Sequence, residues 1–176
     1  QLVEKFKGRT GVDLANLQAA SVPALAKKLL PQLIMACKKS VAEAQSVINL
    51  EGVGFKGFIP AVFGTTTASK FRSYSDVYLR QTMNPARNPR NTPDEFEVQM
   101  LAKLADPSHP RTDDQVVSEM VENGKTLRIM MPLYYNKSCL ACHGEPKGER
   151  DISGYPKEGA KEGDLGGAIS VKIDLK

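Results

Sequence analysis

An α+β fold is predicted by three observations. The N-terminal part of the chain repeats its apolar residues at three- and four-residue steps, the period of helices. The C-terminal part carries alternating runs around an Asn-Gly turn, the pattern of antiparallel strands. The two kinds of segment are segregated along the chain, which points away from a parallel βαβ architecture. At 176 residues the chain suits one compact domain with a sizeable core. It is taken as a single domain over 1–176, with 1–22 as an N-terminal helical extension.

In the extension, Val12, Leu14, Leu17 and Ala20 form a short amphipathic stretch. Ser21 and Pro23 suit the start of a second, long helix, and Pro31 is expected to kink or restart it. Leu30, Ile34, Cys37, Val41, Ala44 and Ile48 then predict one buried helical face, with Gly52 and Gly54 closing the helix. Residues 53–83 are apolar and aromatic without one clean period. Short helical or irregular pieces are expected there, then a strand near Asp76–Thr82. Three Asn and two Pro within residues 84–91 mark a loop. Thr92-Pro93-Asp94-Glu95 predicts a helix start with Thr92 as N-cap and Glu95 completing a capping box. Phe96, Met100 and Leu104 give its core face, and Asp106-Pro107 its stop. Val116–Val121 and Leu127–Tyr135 flank Glu122-Asn123-Gly124-Lys125 as a hairpin, and Ala168–Leu175 alternates as a last strand. Between them, 144–167 holds seven of the fourteen glycines, a long loop of the functional or ligand-pinned kind.

Composition narrows function. An apolar fraction of 41% and a charged fraction of 25% are ordinary for a globular protein. The net charge of +4 is spread along the chain with both signs interleaved, which is no nucleic-acid footprint. No apolar run reaches the length of a membrane span. Gln1-Leu2-Val3-Glu4-Lys5 opens into polar, helix-like sequence, so a targeting segment has been removed or the chain is a piece of a longer protein. Three cysteines, two of them three apart, indicate a site rather than a disulfide framework.

That site is Cys139-Leu140-Ala141-Cys142-His143. Two thiols on one side of a helical turn reach the two vinyl groups of a haem, and the following imidazole lies over the iron. C-x-x-C-H is therefore the pattern of covalent haem c attachment, with His143 as the proximal iron ligand. A structural zinc site needs about four ligands, and beyond these residues the chain offers only Cys37 and His109. A thioredoxin-like dithiol belongs beside a parallel βαβ unit, which this region lacks. The sixth iron position is open from the residues alone: Cys37, His109, one of the six methionines (Met130 and Met131 lie nearest in sequence), or water. His109 sits in an Asp-Pro-Ser-His-Pro turn, where a solvated side chain is expected. Haem c is attached outside the cytoplasm, so a periplasmic or lumenal location is expected.

Ordered along most of the chain, four blocks resemble the PAS-like c-type haem domain family. They are Ala36-Cys37-Lys38-Lys39-Ser40-Val41-Ala42; Phe58-Ile59-Pro60-Ala61-Val62-Phe63; Arg87-Asn88-Pro89 followed by Asn91-Thr92-Pro93-Asp94-Glu95-Phe96-Glu97; and the Cys139–His143 motif with Gly154-Tyr155-Pro156 and Gly166-Gly167-Ala168-Ile169-Ser170-Val171. The likeness is good from about residue 30 onward and poor before it. That family comprises soluble cyanobacterial haem proteins and extracytoplasmic sensor parts of bacterial kinases and chemoreceptors. The resemblance implies a central antiparallel sheet of about five strands flanked by helices, with the haem against the sheet. It implies Cys37 as the distal ligand opposite His143. Kinase-linked members carry flanking membrane helices and this chain has none, which fits an excised input domain or a soluble relative.

Cysteine ligation disfavours reduction, so a low-potential haem is expected. Its release on reduction would free a position for carbon monoxide or nitric oxide, making a redox- or gas-responsive sensor. A soluble electron carrier with an unidentified redox partner is the alternative, and a haem enzyme a third. For the haem propionates Arg80, Arg87, Arg90, Lys125 and Arg128 are candidates, with Arg87 and Arg90 favoured by their place in the family block. Phe55, Phe58, Phe63 and Tyr134 are candidates for lining the haem face.

Overall fold

The fold is that of a computed structural model, which describes residues 2–111 and 115–175. Its nine principal elements are α1 (Leu2–Thr10), α2 (Ala24–Ile48), α3 (Pro60–Tyr74), β1 (Tyr78–Thr82), α4 (Glu95–Ala105), β2 (Val117–Val121), β3 (Thr126–Tyr134), α5 (Leu140–His143) and β4 (Leu165–Asp174). The strands form one antiparallel sheet in the order β1-β4-β3-β2. The α+β expectation holds. The four strands named from the sequence are the four observed, and the fifth that the resemblance implied is absent among the described residues.

Alternation along β3 and β4 divides the sheet into two faces. Met130 and Ala168 pack with Leu101 and Leu104 of α4. Val171 and Ile173, of opposite parity, pack with Leu79 against Ala36, Leu29 and Leu33 of α2 and Phe71 of α3. Helices therefore cover both faces, α4 on one side and the α2–α3 pair on the other. On the α2–α3 side Leu127, Ile129 and Met131 of β3 stay half-buried.

Several local expectations are corrected. Residues 12–20 form only a single 3-10 turn at Leu14–Asn16, and the first helix is α1. Pro31 neither kinks nor restarts α2, which runs unbroken for 25 residues. It lies on the exposed side, where water can satisfy the carbonyl it leaves unbonded. The buried stripe of α2 is Leu29, Leu33, Ala36 and Ser40, and Val41 of the expected stripe is exposed. The stripe is misphased because a polar residue occupies it. Ser40 is buried and donates to the Ala36 carbonyl while accepting from Thr67 of α3.

Residues 60–74 are one regular helix rather than irregular pieces. Pro60 opens it, as suits a residue without an amide donor. Its period is hidden by Gly64 and a run of threonines. Gly64 packs so closely on Gln81 of β1 that a Cβ there would lie 2.4 Å from the glutamine side chain. The capping box of α4 is displaced by two residues: Asp94 is the N-cap and Glu97 the reciprocal partner. The β2–β3 turn is as expected, with Glu122, Asn123 and Gly124 all at positive φ. β4 starts at Leu165, three residues early, because a register shift opposite Pro132–Tyr134 keeps it paired with β3.

Candidate functional site

The site is assembled where β3 ends. Tyr134 lies beside Leu165, whose packing is on the α4 side, so Tyr135, next in the chain, turns to the α2–α3 side. The Tyr135 ring lies against Gly166, where a Cβ would come 2.6 Å from the ring, and its hydroxyl reaches Met83 Sδ at 3.9 Å. An Asn136 turn, in which its side-chain oxygen accepts from the Ser138 amide and hydroxyl, then leads into α5. In α5 the Cys142 and His143 amides both donate to the Cys139 carbonyl. One helical turn thus carries Cys139, Cys142 and His143, all half-buried, and none of the three cysteines is in a disulfide.

The glycine-rich loop is a folded-back finger rather than a slack segment. Gly148 and Lys157 pair across it through backbone bonds, as do Asp151 and Tyr155, and Ala160 donates to the His143 carbonyl. Gly159, at φ +76°, is the tight point, with room for a Cβ only 2.9 Å from Lys147 Cβ. The finger lays Glu158 against the histidine: Glu158 Oε2 is 2.9 Å from His143 Nδ1. Tyr135 Oη is 3.1 Å from the same nitrogen, and its ring stacks on the imidazole with centroids 4.6 Å apart. Nε2 of His143 has no hydrogen-bond partner among the described residues.

Arg87 ties the parts together. It grips both Glu158 oxygens through Nε and a terminal nitrogen, donates to Asp151 at 2.7 Å, and donates to the Cys142 carbonyl at 2.7 Å. Asp151 is buried and takes further bonds from the Ser153 amide and hydroxyl and the Tyr155 amide. Burial opposes its charge, but these donors together with Arg87 hold its carboxyl well below the usual carboxylate range. Burial likewise opposes the Glu158 carboxylate, and bonds from Arg87 and His143 outweigh it and lower its pKa. Burial, and then the Glu158 charge, push the Tyr135 phenol up to about 12.

Cys139, Cys142, His143 and Arg87 are therefore brought together. Cys37 lies on α2, half-buried, facing Thr67 of α3; burial pushes its thiol up, with Thr67 partly opposing. Among the described residues it forms no hydrogen bond with His143. Arg90 is exposed on the loop turn. Arg80 and Arg128 are bound to Asp94, Glu97 or the Thr92 carbonyl on the α4 side. Met130 is core, and Phe58 packs edge-on against Phe63. His109 is half-buried rather than solvated, with Nε2 enclosed and unpartnered among the described residues. Sequence reasoning missed Glu158, Tyr135 and Asp151. The one signal was the acids within a glycine-rich loop directly after the motif.

The donor set fits the expected haem. Two unpaired thiols flank an imidazole whose Nδ1 is engaged and whose Nε2 is left for a metal. Among the described residues no three His, Cys, Asp or Glu side chains converge as a metal cluster. No helix among them is long and apolar enough to cross a membrane.

The family model described as Tll0287-like matches residues 15–174, earlier in the chain than the four sequence blocks suggested. A solved structure, the crystal structure of the cyanobacterial heme-protein Tll0287, is similar with a TM-score of 0.58 at 20% identity, covering 89% of this chain and 98% of that one. At that identity the likeness concerns the fold. A search of curated proteins found no match.

Proposed function

This chain belongs to the Tll0287-like family, and on that footing we propose that it carries one covalently attached haem c. Cys139 and Cys142 would hold the haem through thioethers, with His143 Nε2 and Cys37 Sγ as the iron ligands. We propose further that it is an extracytoplasmic redox- or gas-responsive module rather than a catalyst. One observation carries the reading. His143 sits on the same turn as both thiols, with Nδ1 held by Glu158 and Nε2 without a hydrogen-bond partner among the described residues. The half-buried apolar residues Ile129, Met131 and Ile169 on the same side of the sheet as Tyr135 supply the kind of surface a macrocycle packs on.

Such a group supplies a one-electron couple and a position for a diatomic ligand. The chain's own residues do the rest. Cys37 as a thiolate donor favours the ferric state, while its half-buried setting favours the protonated thiol, with the Thr67 hydroxyl as its neighbour. A bound thiolate and a free thiol on one helix are the two states a switch requires. Arg90, being exposed, is free to meet a propionate, whereas Arg87 is committed to Glu158, Asp151 and the motif's backbone. An electron carrier is the second reading, favoured by the half-exposed position of the motif, which would leave a haem edge open to a partner.

The test is expression with a cytochrome c maturation system. The protein should gain the mass of one haem and a thioether haemochrome spectrum, and Cys139→Ala/Cys142→Ala should gain neither. Ferric and ferrous absorption and EPR spectra of the wild type and Cys37→Ala then divide the readings. A sensor changes its ligand set on reduction and takes up carbon monoxide, and Cys37→Ala alters its ferric spectrum. A carrier keeps one six-coordinate spectrum in both states.

A further inference from the structure

We infer that Glu158 is the positioning residue of the proximal histidine: its carboxylate takes the hydrogen bond from His143 Nδ1, fixing which ring nitrogen faces the cofactor and how strongly that nitrogen donates. This rests on the reading of His143 as an iron ligand, and goes beyond it by assigning the control of that ligand to a residue from the glycine-rich finger.

The proton assignment follows from the neighbours. An ionised carboxylate only accepts, and its oxygen lies 2.9 Å from Nδ1. If Nδ1 were bare, two lone pairs would face each other at that distance, so Nδ1 carries a proton, and in the neutral imidazole that a metal binds Nε2 is the bare nitrogen. Tyr135 does not compete for it as a stronger acceptor. A phenol oxygen is a weaker acceptor than a carboxylate, and the hydroxyl has Met83 Sδ within reach at 3.9 Å. The proton remains on nitrogen throughout; only the strength of its hydrogen bond is at issue.

The acceptor is also held still. Arg87 binds both Glu158 oxygens and anchors to Asp151 and to the Cys142 carbonyl, the residue before His143. The imidazole is thus clamped between the Tyr135 ring on its face and the Glu158 carboxylate on its edge. A carboxylate partner raises the basicity of a ligating histidine. It therefore stabilises ferric over ferrous iron and lowers the reduction potential. Arg87 draws on the same carboxylate, so the pair sets an intermediate donor strength.

Matured, haem-loaded wild type, Glu158→Gln, Glu158→Asp, Asp151→Asn and Tyr135→Phe are compared by mediated redox titration and ferric EPR. Glu158→Gln should raise the ferrous-to-ferric ratio at a fixed poise at least tenfold, which is 59 mV for a one-electron couple, and change the ferric g-values. Glu158→Asp, which keeps the charge but withdraws it by one methylene, should shift the ratio the same way by a smaller factor. Asp151→Asn and Tyr135→Phe should each change it less than threefold. The inference is overturned if Glu158→Gln, or Glu158→Asp where the glutamine variant does not mature, stays within threefold of wild type. It is equally overturned if Asp151→Asn moves the ratio as far, which would make the effect one of net charge. A wild-type protein that matures without haem defeats the functional reading instead, and the mass spectrum separates that result from the others.

Discussion

Two arginine–carboxylate clusters flank this sheet, and they use the same chemistry to different ends. On the α4 side, Arg80 and Arg128 face Glu97 and Asp94. Glu97 is fully buried, and Arg128 also lies over the Phe96 ring at 4.4 Å. These acids are already tied to each other as the N-terminal cap of α4, so the cluster only nails that helix to the strands beneath. At the motif, Arg87 joins residues 55 to 71 positions away along the chain, and its cluster ends on an imidazole. An arginine–carboxylate network is thus a structural fastening in one place and holds a histidine in the other. What separates them is the side chain at the end of the network.

The sharpest way to break that distinction is to remove the buried acid of the first cluster. Glu97→Ala takes the buried carboxylate from two largely enclosed guanidinium groups (9% and 16% exposed side chains), leaving Arg128 with half-exposed Asp94 and Arg80 with backbone and tyrosine acceptors. Breaking a buried pair in this way costs about 3–5 kcal/mol. Urea unfolding should show that loss, while the ferric spectrum of the folded haem-loaded protein stays as in wild type. A changed spectrum with little lost stability would mean the α4 cluster also acts on the site.

Arg87→Ala should give the reverse balance. Asp151 keeps its bonds from Ser153 and Tyr155, so the expected loss is smaller, about 2–3 kcal/mol from the charged hydrogen bonds removed. The spectrum and EPR of the matured protein should change, because Glu158 loses its clamp. An unaltered spectrum would reduce Arg87 to a second fastening.

How much of this was legible follows from sequence distance. The motif is local: three reactive side chains on one turn, whose chemistry is carried by spacing alone. The hairpin and the α4 start are local as well, and the latter was displaced only because Thr92-Pro93 imitates the Asp94-Glu97 cap two residues on. The phase of α2 failed where Ser40 enters the core, since a satisfied serine looks polar to any apolar count. α3 was hidden by Gly64 and its threonines, whose reason for being there is contact with Gln81 and Ser40, residues on other elements. Glu158, Asp151 and Tyr135 acquire their roles only once the finger folds back, and no spacing encodes that. Which of the arginine candidates are buried and which partners they take was unreadable for the same reason: burial and partner are tertiary properties.

Acid unfolding distinguishes the clusters more finely. Asp151 has a pKa lowered by folding, so its contribution is fully present above its unfolded value near 4 and is lost as pH falls below that toward the folded value. Wild type should therefore lose stability steeply below about pH 4. Arg87→Ala, lacking one of the donors that lower this pKa, should lose less over the same interval, so the gap between the two proteins narrows as pH falls. Urea midpoints at pH 7, 4 and 3 provide the comparison, and a constant gap would place the Arg87 contribution elsewhere than on the buried carboxylate.

The smallest effect is expected at the rim of the α4 cluster, and it tests whether burial or charge makes that cluster strong. Asp94 caps α4 through one oxygen and meets Arg128 through the other at 2.8 Å, with its side chain 46% exposed. Asparagine caps a helix about as well as aspartate, so Asp94→Asn removes little but the ion pair. At that exposure the pair contributes under about 1 kcal/mol, because solvent screens it. Arg128 also retains Glu97 and the Phe96 ring. Urea unfolding of Asp94→Asn should thus lie close to wild type and far from Glu97→Ala. A loss approaching that of Glu97→Ala would mean the charge on Asp94, not the burial of Glu97, fastens the helix.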